Sequence, residues 1–377
     1  MAHAGAGVRR LRVAIGAVAG VTGGPATYVV ELLQAMADLD PDDIELHVLT
    51  DRPELFADRS NLEVHSLPLP SPWHQPLWDN VRVPEALFRI RPDIYHGTKH
   101  ALPLVGLPRV ASVVSIHDLA VYAEPDTFSL AQRWQLYVHL RHAARRARRV
   151  IAVSQYTADD LVARLQVPAS RIDVVGHGVH GQFRPIDDPA RRAVVRRQYG
   201  VEEGFLAAFV GTAQPRKRIE SAIEAVGALA AEGHAIRLVI AGRRRPGYEP
   251  DWLRSPPPFV HLAGEVDASD LVELYGAADV MVSPSSFEGF GLTFVEAMAC
   301  GCPVVGVAAT SVPEVVGDAG ILVKAPESGQ LADALRRLVT STEVCRDYGE
   351  RALRRASELS WSHAAAQTLE VYRAAHR

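Results

Sequence analysis

Short β-branched apolar runs alternate with longer stretches of helical period along the whole chain, a pattern that predicts parallel α/β layers. In the first half the runs "LRVAIGA", "IELHVLT", "DIYHG", "VASVVSIHD", "RRVIAVS" and "RIDVV" are predicted strands. Helical spacing fills residues 28–37 and 129–147 between them. In "TADDLVARL", Thr157 and Asp160 have the spacing of a capping box. The alternation restarts with "FLAAFVG", "AIRLVIAG", "FVHLAGE", "DVMVSPS", "PVVGVA" and "GILVK". The closing segment "WSHAAAQTLEVYRAAHR" predicts an amphipathic helix, with Ala364, Leu369, Val371 and Tyr372 on its apolar side.

Two successive doubly wound units account for this order. The chain has 377 residues, more than one ordinary core holds. The boundary is expected in "GHGVHGQFRPIDDPARR", residues 176–192, which mixes Gly, Pro and charge after the last strand of the first unit. In open α/β sheets ligands sit at the carboxyl ends of the strands. Two such units facing one another make a cleft, so the chemistry is expected from loops after strands in both halves.

Composition narrows the field. Hydrophobic residues make up 48% and charged residues 22%, which excludes a disordered chain. A formal net charge of −4 gives no reason to expect nucleic acid as a partner. Cys300, Cys302 and Cys345 provide neither a disulfide framework nor paired metal spacings, so a reducing cytosol is the expected compartment. "VRRLRVAIGAVAGVTGG" resembles a secretory leader, but Arg12 interrupts its apolar run, and a strand, a glycine turn and a helix account for it. No run reaches the ~18 apolar residues of a membrane span. In "RHAARRARR", Arg141, Arg145, Arg148 and Arg149 are predicted on one helical face, either solvated or touching anionic headgroups.

Four stretches place polar groups where strands end. Gly23 and Gly24 follow a strand and open a helix with Pro25 in its first turn. They serve either a tight turn or the approach of phosphate or sugar oxygens to free N–H groups. The spacing of Gly16, Gly20 and Gly23 is not a dinucleotide fingerprint. In "SIHDLAVY", His117 and Asp118 end a strand, so the imidazole is either structural or able to bond a substrate hydroxyl. In "FVGTAQPRKRIESAIEA", Arg216 and Lys217 follow a strand at an expected helix start. Unopposed cations there work against the helix dipole unless an anion such as a diphosphate joins them. In "SSFEGFGLTFVEAMACGCPVVG", Glu288 lies in a loop after a strand and Glu296 in the helix that follows. Phe290, Gly291 and Leu292 can present N–H groups to a phosphate. The two carboxylates can grip two ends of one extended polar ligand, as acceptors for sugar diols. "DLDPDD" reads as a solvated turn and "CGC" as core packing.

These stretches resemble family 4 retaining glycosyltransferases of the GT-B fold. "EGFGLTFVE" matches their E-x7-E signature, and "VGTAQPRKRIESAIEA" is similar to their phosphate-binding segment. "SIHDL", "RRVIAVSQYTADDL", "AADVMVSPSSFEGFG" and "PEVVGDAGILV" look like family segments in family order, so the likeness covers nearly the whole chain. It implies an acceptor-side domain over 1–180, a nucleotide-sugar domain over 181–358, and a helix over 359–377 returning to the first. It also implies Glu288 on the transferred hexose, Glu296 on the ribose, and Arg216 and Lys217 on the diphosphate, with amides from Phe290 to Thr293. His117 would sit over the reacting sugar, Val266 would meet the base through its backbone, and Gly23 and Gly24 would lie beside diphosphate and acceptor.

The resemblance implies no cofactor beyond the donor and no metal, since the two cations replace one. The implied partners are a nucleotide-sugar donor, GDP-mannose before a UDP-sugar, and a glycan, lipid-linked or small-molecule acceptor. A peripheral contact with the inner face of an anionic membrane belongs to the same expectation. Thr212 stands where many members carry Arg, and "GHGVH" replaces their "PNGVD". A nucleotide-sugar epimerase of the same architecture and an idle carbohydrate-binding homologue are the competing readings.

Overall fold

All the apolar runs predicted as strands form strands, and one further strand joins the first sheet at its edge. The structure, a computed structural model, describes residues 9–18, 23–69, 75–105 and 108–377. Gly20 lies outside them. The chain divides into two compact units. One comprises the described residues through Ala123, with Phe128–His177 and Trp361–Arg377. The other comprises Glu124–Thr127 and Gly178–Ser360.

The first unit is a seven-stranded parallel sheet in the order β3-β2-β1-β4-β5-β6-β7. Its strands are β1 (Leu11–Ala17), β2 (Ile44–Thr50), β3 (Leu62–Ser66), β4 (Ile94–Gly97), β5 (Ala111–Ile116), β6 (Arg149–Ala152) and β7 (Ile172–Val174). β3, "LEVHS", escapes the sequence because a short edge strand half open to water has no continuous apolar run. The strand order reverses between β1 and β4, so that is the switch point of the sheet.

Three helices of this unit matter below. Helix α1 (Gly24–Leu39) starts at Gly23, whose φ of 127° lies in the left-handed region. Helix α2 (Leu130–Arg146) carries a full capping box from Ser129 and Gln132. It ends before Arg148, and Arg149 lies in β6, paired with Asp173 at 2.8 Å. The predicted four-arginine face therefore shrinks to Arg141 and Arg145. Helix α3 (Gln155–Leu165) is capped by Ser154, which accepts from Thr157 N at 3.1 Å, so Thr157 and Asp160 sit inside the helix and form no box.

The C-terminal helix, Trp361–His376, packs on α1 in this unit. Arg373 clasps Asp43 of the "DLDPDD" turn through two bonds of 2.7 Å. Tyr372 reaches His96 Nδ1 at 2.7 Å, His96 Nε2 meets Ser115 at 2.8 Å, and Ser115 meets Tyr28 at 2.7 Å. This buried chain of polar groups joins helix, β4, β5 and α1, and each member is satisfied by its neighbour.

The second unit is a six-stranded parallel sheet in the order β10-β9-β8-β11-β12-β13. Its strands are β8 (Phe205–Val210), β9 (Ile236–Ala241), β10 (Val260–Gly264), β11 (Val280–Ser283), β12 (Val304–Val307) and β13 (Gly320–Val323). β8 is buried at every position, the mark of a central parallel strand covered on both faces. The order reverses between β8 and β11. Helix α4 (Ile219–Ala231) follows β8, and helix α5 (Leu292–Ala299) follows β11. Cys300 and Cys302 are buried in the core, where burial pushes the Cys300 thiol up to about 12.

Burial pushes His96 and His177 of the first unit down to about 3. An unfolded histidine titrates near 6.5. Below that pH the unfolded chain takes up protons that the folded unit refuses, so stability present above 6.5 is lost as pH falls toward 3. The expected slope is about 1.4 kcal/mol per pH unit for each histidine. Urea midpoints measured from pH 7 to pH 5 should fall, and His177→Asn should flatten the fall. A midpoint unchanged over that range would contradict this account.

Candidate functional site

The polar groups of the second unit converge at its switch point. Gly211 follows β8, and residues Pro215–Lys217 make one tight 3-10 turn before α4. Arg218, at φ 49°, separates that turn from the helix. Arg216 and Lys217 are therefore not unopposed cations on a helix start, as the sequence suggested. Both face Glu288 from the loop after β11. Lys217 Nζ pairs with Glu288 Oε1, and Arg216 Nη1 lies 3.5 Å from Glu288 Oε2 while also bonding the Phe287 carbonyl. Lys217 is 7% exposed and Glu288 8%, so this is a buried ion cluster.

Its electrostatics follow from that burial. Burial favours the neutral acid at Glu288, but Lys217 and then Arg216 outweigh it and hold the carboxyl at about 2. Burial pulls the Lys217 ammonium below its ordinary value, and Glu288 pulls it back. The Glu288 carboxylate is thus ionised across the physiological range, with two cations arrayed against it.

The loop carrying Glu288 is held from both sides. Ser286 N donates to the Arg216 carbonyl at 3.0 Å. Glu288 N donates to Thr310 Oγ1 at 3.0 Å, and Ser311 Oγ donates to the Glu288 carbonyl at 2.9 Å. Thr310 and Ser311 were not singled out from the sequence, where their only signal is a hydroxyl pair after a strand. Gly291 caps α5 at φ 94°, and a Cβ there would meet Phe294 at 3.0 Å. Phe290 is buried, while Leu292 and Thr293 are half-buried in the first turn of α5, where helix N–H groups have no intrahelical acceptor. Glu296 lies one turn further, half-buried, 3.5 Å from the Tyr275 hydroxyl. Val266 comes after β10, next in sequence to Glu265, which with Ala213, Gly242, Arg243 and Gly264 walls a cavity of ≈570 Å³.

In the first unit His117 follows β5 and is buried. Its Nε2 lies 2.8 Å from the Thr98 carbonyl, which accepts, so that nitrogen carries the proton and Nδ1 is left as an acceptor. His117 N donates to His100 Nδ1 at 3.3 Å. The rings of Tyr28, His100 and His177 surround it at 4.8 to 5.7 Å. Burial first, then His100 and His177, hold His117 well below its ordinary range, as a neutral imidazole. Gly23 and Gly24 are exposed at the start of α1. Among the described residues no group of three or more His, Cys, Asp or Glu could hold a metal ion.

Comparisons with known proteins place this arrangement. The profile of glycosyl transferases group 1 matches residues 192–355, and that of Glycosyltransferase Family 4 matches residues 22–182. The chain is 29% identical over 287 residues to O-antigen chain mannosyltransferase B of Escherichia coli, covering 74% of each chain. It is 35% identical over 249 residues to D-inositol 3-phosphate glycosyltransferase of Nocardia farcinica, covering 61% of this chain and 53% of that relative. The chain thus spans about half the length of the inositol phosphate enzyme it matches. Anabaena HepE, solved with UDP and glucose, superposes with a TM-score of 0.75 at 22% identity, covering 96% of this chain and 99% of that one. WaaG, a glycosyltransferase involved in lipopolysaccharide biosynthesis, gives 0.73 at 19% identity over 95% and 99%. At these identities the structures establish a shared GT-B fold.

Removing one partner of a buried ion pair strands the other, at a cost of about 3–5 kcal/mol. Lys217→Met should therefore lower the unfolding free energy toward the low end of that range, since Arg216 stays near Glu288. Lys217→Met combined with Glu288→Leu should recover most of the loss. Chemical denaturation of both variants checks this, and additive losses would show that the two side chains are uncoupled.

Proposed function

The chain belongs to the group 1 glycosyltransferases, with a family 4 amino-terminal half, and from that membership we propose that it transfers a hexose from a nucleoside diphosphate sugar to an acceptor hydroxyl. The acceptor is a glycan, a lipid-linked sugar or a small polyol. GDP-mannose is the first donor, by likeness to the mannosyltransferase of Escherichia coli. UDP-glucose is the second, since HepE has been solved with it. One observation carries the reading: a buried carboxylate and two cations at the switch point of the second sheet, where an α/β sheet binds its ligand.

The reaction balances without a cofactor. The acceptor oxygen forms a bond to the anomeric carbon on the face from which the diphosphate departs, and the bond from that carbon to the diphosphate oxygen breaks. The acceptor proton leaves with the diphosphate. Configuration is retained. Charge builds on the departing diphosphate, so the site's main task is to stabilise it with fixed cations. Arg216 and Lys217 take that task, with amides from Phe290 to Thr293. Lys217 is already positioned by Glu288, so little reorganisation is needed when the diphosphate arrives.

Glu288 then accepts hydroxyls of the hexose, Glu296 accepts from the ribose, and Val266 meets the base at the edge of the ≈570 Å³ cavity. His117, neutral with its proton on Nε2, accepts a sugar hydroxyl at Nδ1. Gly23 and Gly24 leave the start of α1 open to oxygens of the diphosphate and acceptor. The two cations do the work of a divalent metal. Peripheral contact with an anionic membrane belongs to the same reading. Leu130, Trp134, Arg141 and Arg145 fall on one stripe of α2, and Leu130 and Trp134 are 82% and 72% exposed.

A thermal-shift panel of nucleoside diphosphates and their sugars tests donor and metal use together. A ligand at ~100 times its dissociation constant stabilises by ~2.7 kcal/mol. The guanosine ligands should shift the melt most, and a chelator should alter neither the shift nor acceptor-dependent nucleotide release. Loss of release in chelator, restored by Mn²⁺, refutes metal independence.

The two glutamates should separate in kinetics. Glu288→Gln should lower kcat strongly and leave nucleoside diphosphate affinity near that of the parent, because Arg216 and Lys217 remain. Glu296→Gln removes binding shared by ground and transition states, so it should raise the donor KM and weaken the nucleotide roughly 10- to 150-fold. The reverse pattern would exchange the two roles.

A further inference from the structure

The first sheet has its own switch point, between β1 and β4, and a recess opens at the carboxyl ends of these strands. Gly16 and Val18 come from the β1 side, Gly97, Thr98 and Lys99 from the β4 side, and Asp79 from a π-helical turn, Trp78–Arg82. Such turns concentrate at functional sites. Asp79 is 7% exposed, and Gln75 Nε2 donates to its Oδ1 at 3.2 Å. Burial raises its carboxyl to about 6. The recess holds ≈10 Å³, space for about one water. A larger residue at Gly16 would close it off, since a Cβ there would lie 2.6 Å from the Tyr95 hydroxyl.

This inference rests on the transferase reading above. We infer that the recess receives one hydroxyl of the acceptor, with Asp79 accepting its hydrogen bond and Lys99 donating to its oxygen. The volume excludes a sugar ring and fits a single hydroxyl. Charge sets the class. Lys99 feels the charge of both Asp79 and Asp51, and Asp79 shares the recess with it. A phosphate-bearing acceptor meets the Asp79 carboxylate in the recess, while a neutral polyol or glycan end finds an acceptor and a donor together. Position fits too. Thr98 lines the recess and its carbonyl accepts from His117 Nε2, so a hydroxyl anchored here lies beside the imidazole assigned to the reacting sugar.

The test uses the full chain with GDP-mannose as donor and three acceptor probes: methyl α-D-mannopyranoside, myo-inositol and inositol 3-phosphate. Acceptor-dependent nucleotide release gives KM and kcat for each. The wild type should prefer the neutral probes. Asp79→Asn should raise their KM roughly 10- to 150-fold, with kcat within a few-fold and the donor KM unchanged. Preference for inositol 3-phosphate, or an unchanged acceptor KM in Asp79→Asn, overturns the inference. If that variant melts below assay temperature, monodeoxy methyl mannosides on the wild type decide instead. One of them should lose at least tenfold in KM, and an even response across the series overturns the inference. Release with no probe at all overturns the transferase reading itself.

Discussion

The pairing of Lys217 with Glu288 is the constraint from which the second unit's site is built. Desolvating two ions costs several kcal/mol each, and their attraction repays it only when geometry and further hydrogen bonds are good. Here the repayment is visible. Arg216 adds a second cation, Thr310 and Ser311 hold the Glu288 backbone, and Ser286 ties the loop to the Arg216 carbonyl. Each contact joins the loop after β11 to the turn after β8 or to the segment after β12. The cluster thus closes the switch point that the topology opens. The helix that carries Glu296 starts four residues after Glu288, so its position follows from the same anchor.

The first unit solves the same problem with neutral groups. Tyr28, Ser115, His96 and Tyr372 form a continuous chain with no formal charge, and His96 stays unprotonated because burial disfavours the imidazolium. His117 is neutral because burial, His100 and His177 outweigh the Thr98 carbonyl, and it is surrounded by further aromatic and imidazole rings. A neutral imidazole whose Nε2 proton is committed to a carbonyl can only accept at its other nitrogen. The backbone of Thr98 therefore decides what His117 does.

Much of this was legible in the sequence, for identifiable reasons. Parallel strands buried on both faces read as continuous apolar runs, so β8 and its neighbours were evident, whereas β3 at an edge was not. Glu288, Lys217 and Arg216 stood out because charged residues beside strand ends need a partner. That they are one another's partner could not be read, since they lie 71 and 72 residues apart in sequence. Local signals misled where a better competitor lay a few residues away in the chain. Ser154 caps α3 in place of Thr157, and Ala147 turns extended before Arg148, which breaks the arginine face. Asp79 offered no signal, because neither its position in the wide turn nor its burial shows in the residues around it.

Charge is distributed between the sheets according to what each switch point must hold. The second sheet places two cations against one carboxylate, leaving an excess of positive charge where a diphosphate would have to be neutralised. The first places one ammonium in a recess with the Asp79 carboxylate and keeps its central histidines uncharged. A site meant for a leaving group that gains negative charge needs the first arrangement. A recess that anchors a neutral hydroxyl is better served by the second, because carboxylate and ammonium offer that hydroxyl an acceptor and a donor. The same doubly wound topology thus supports both, and the difference lies in which few side chains the loops deliver to the reversal of strand order.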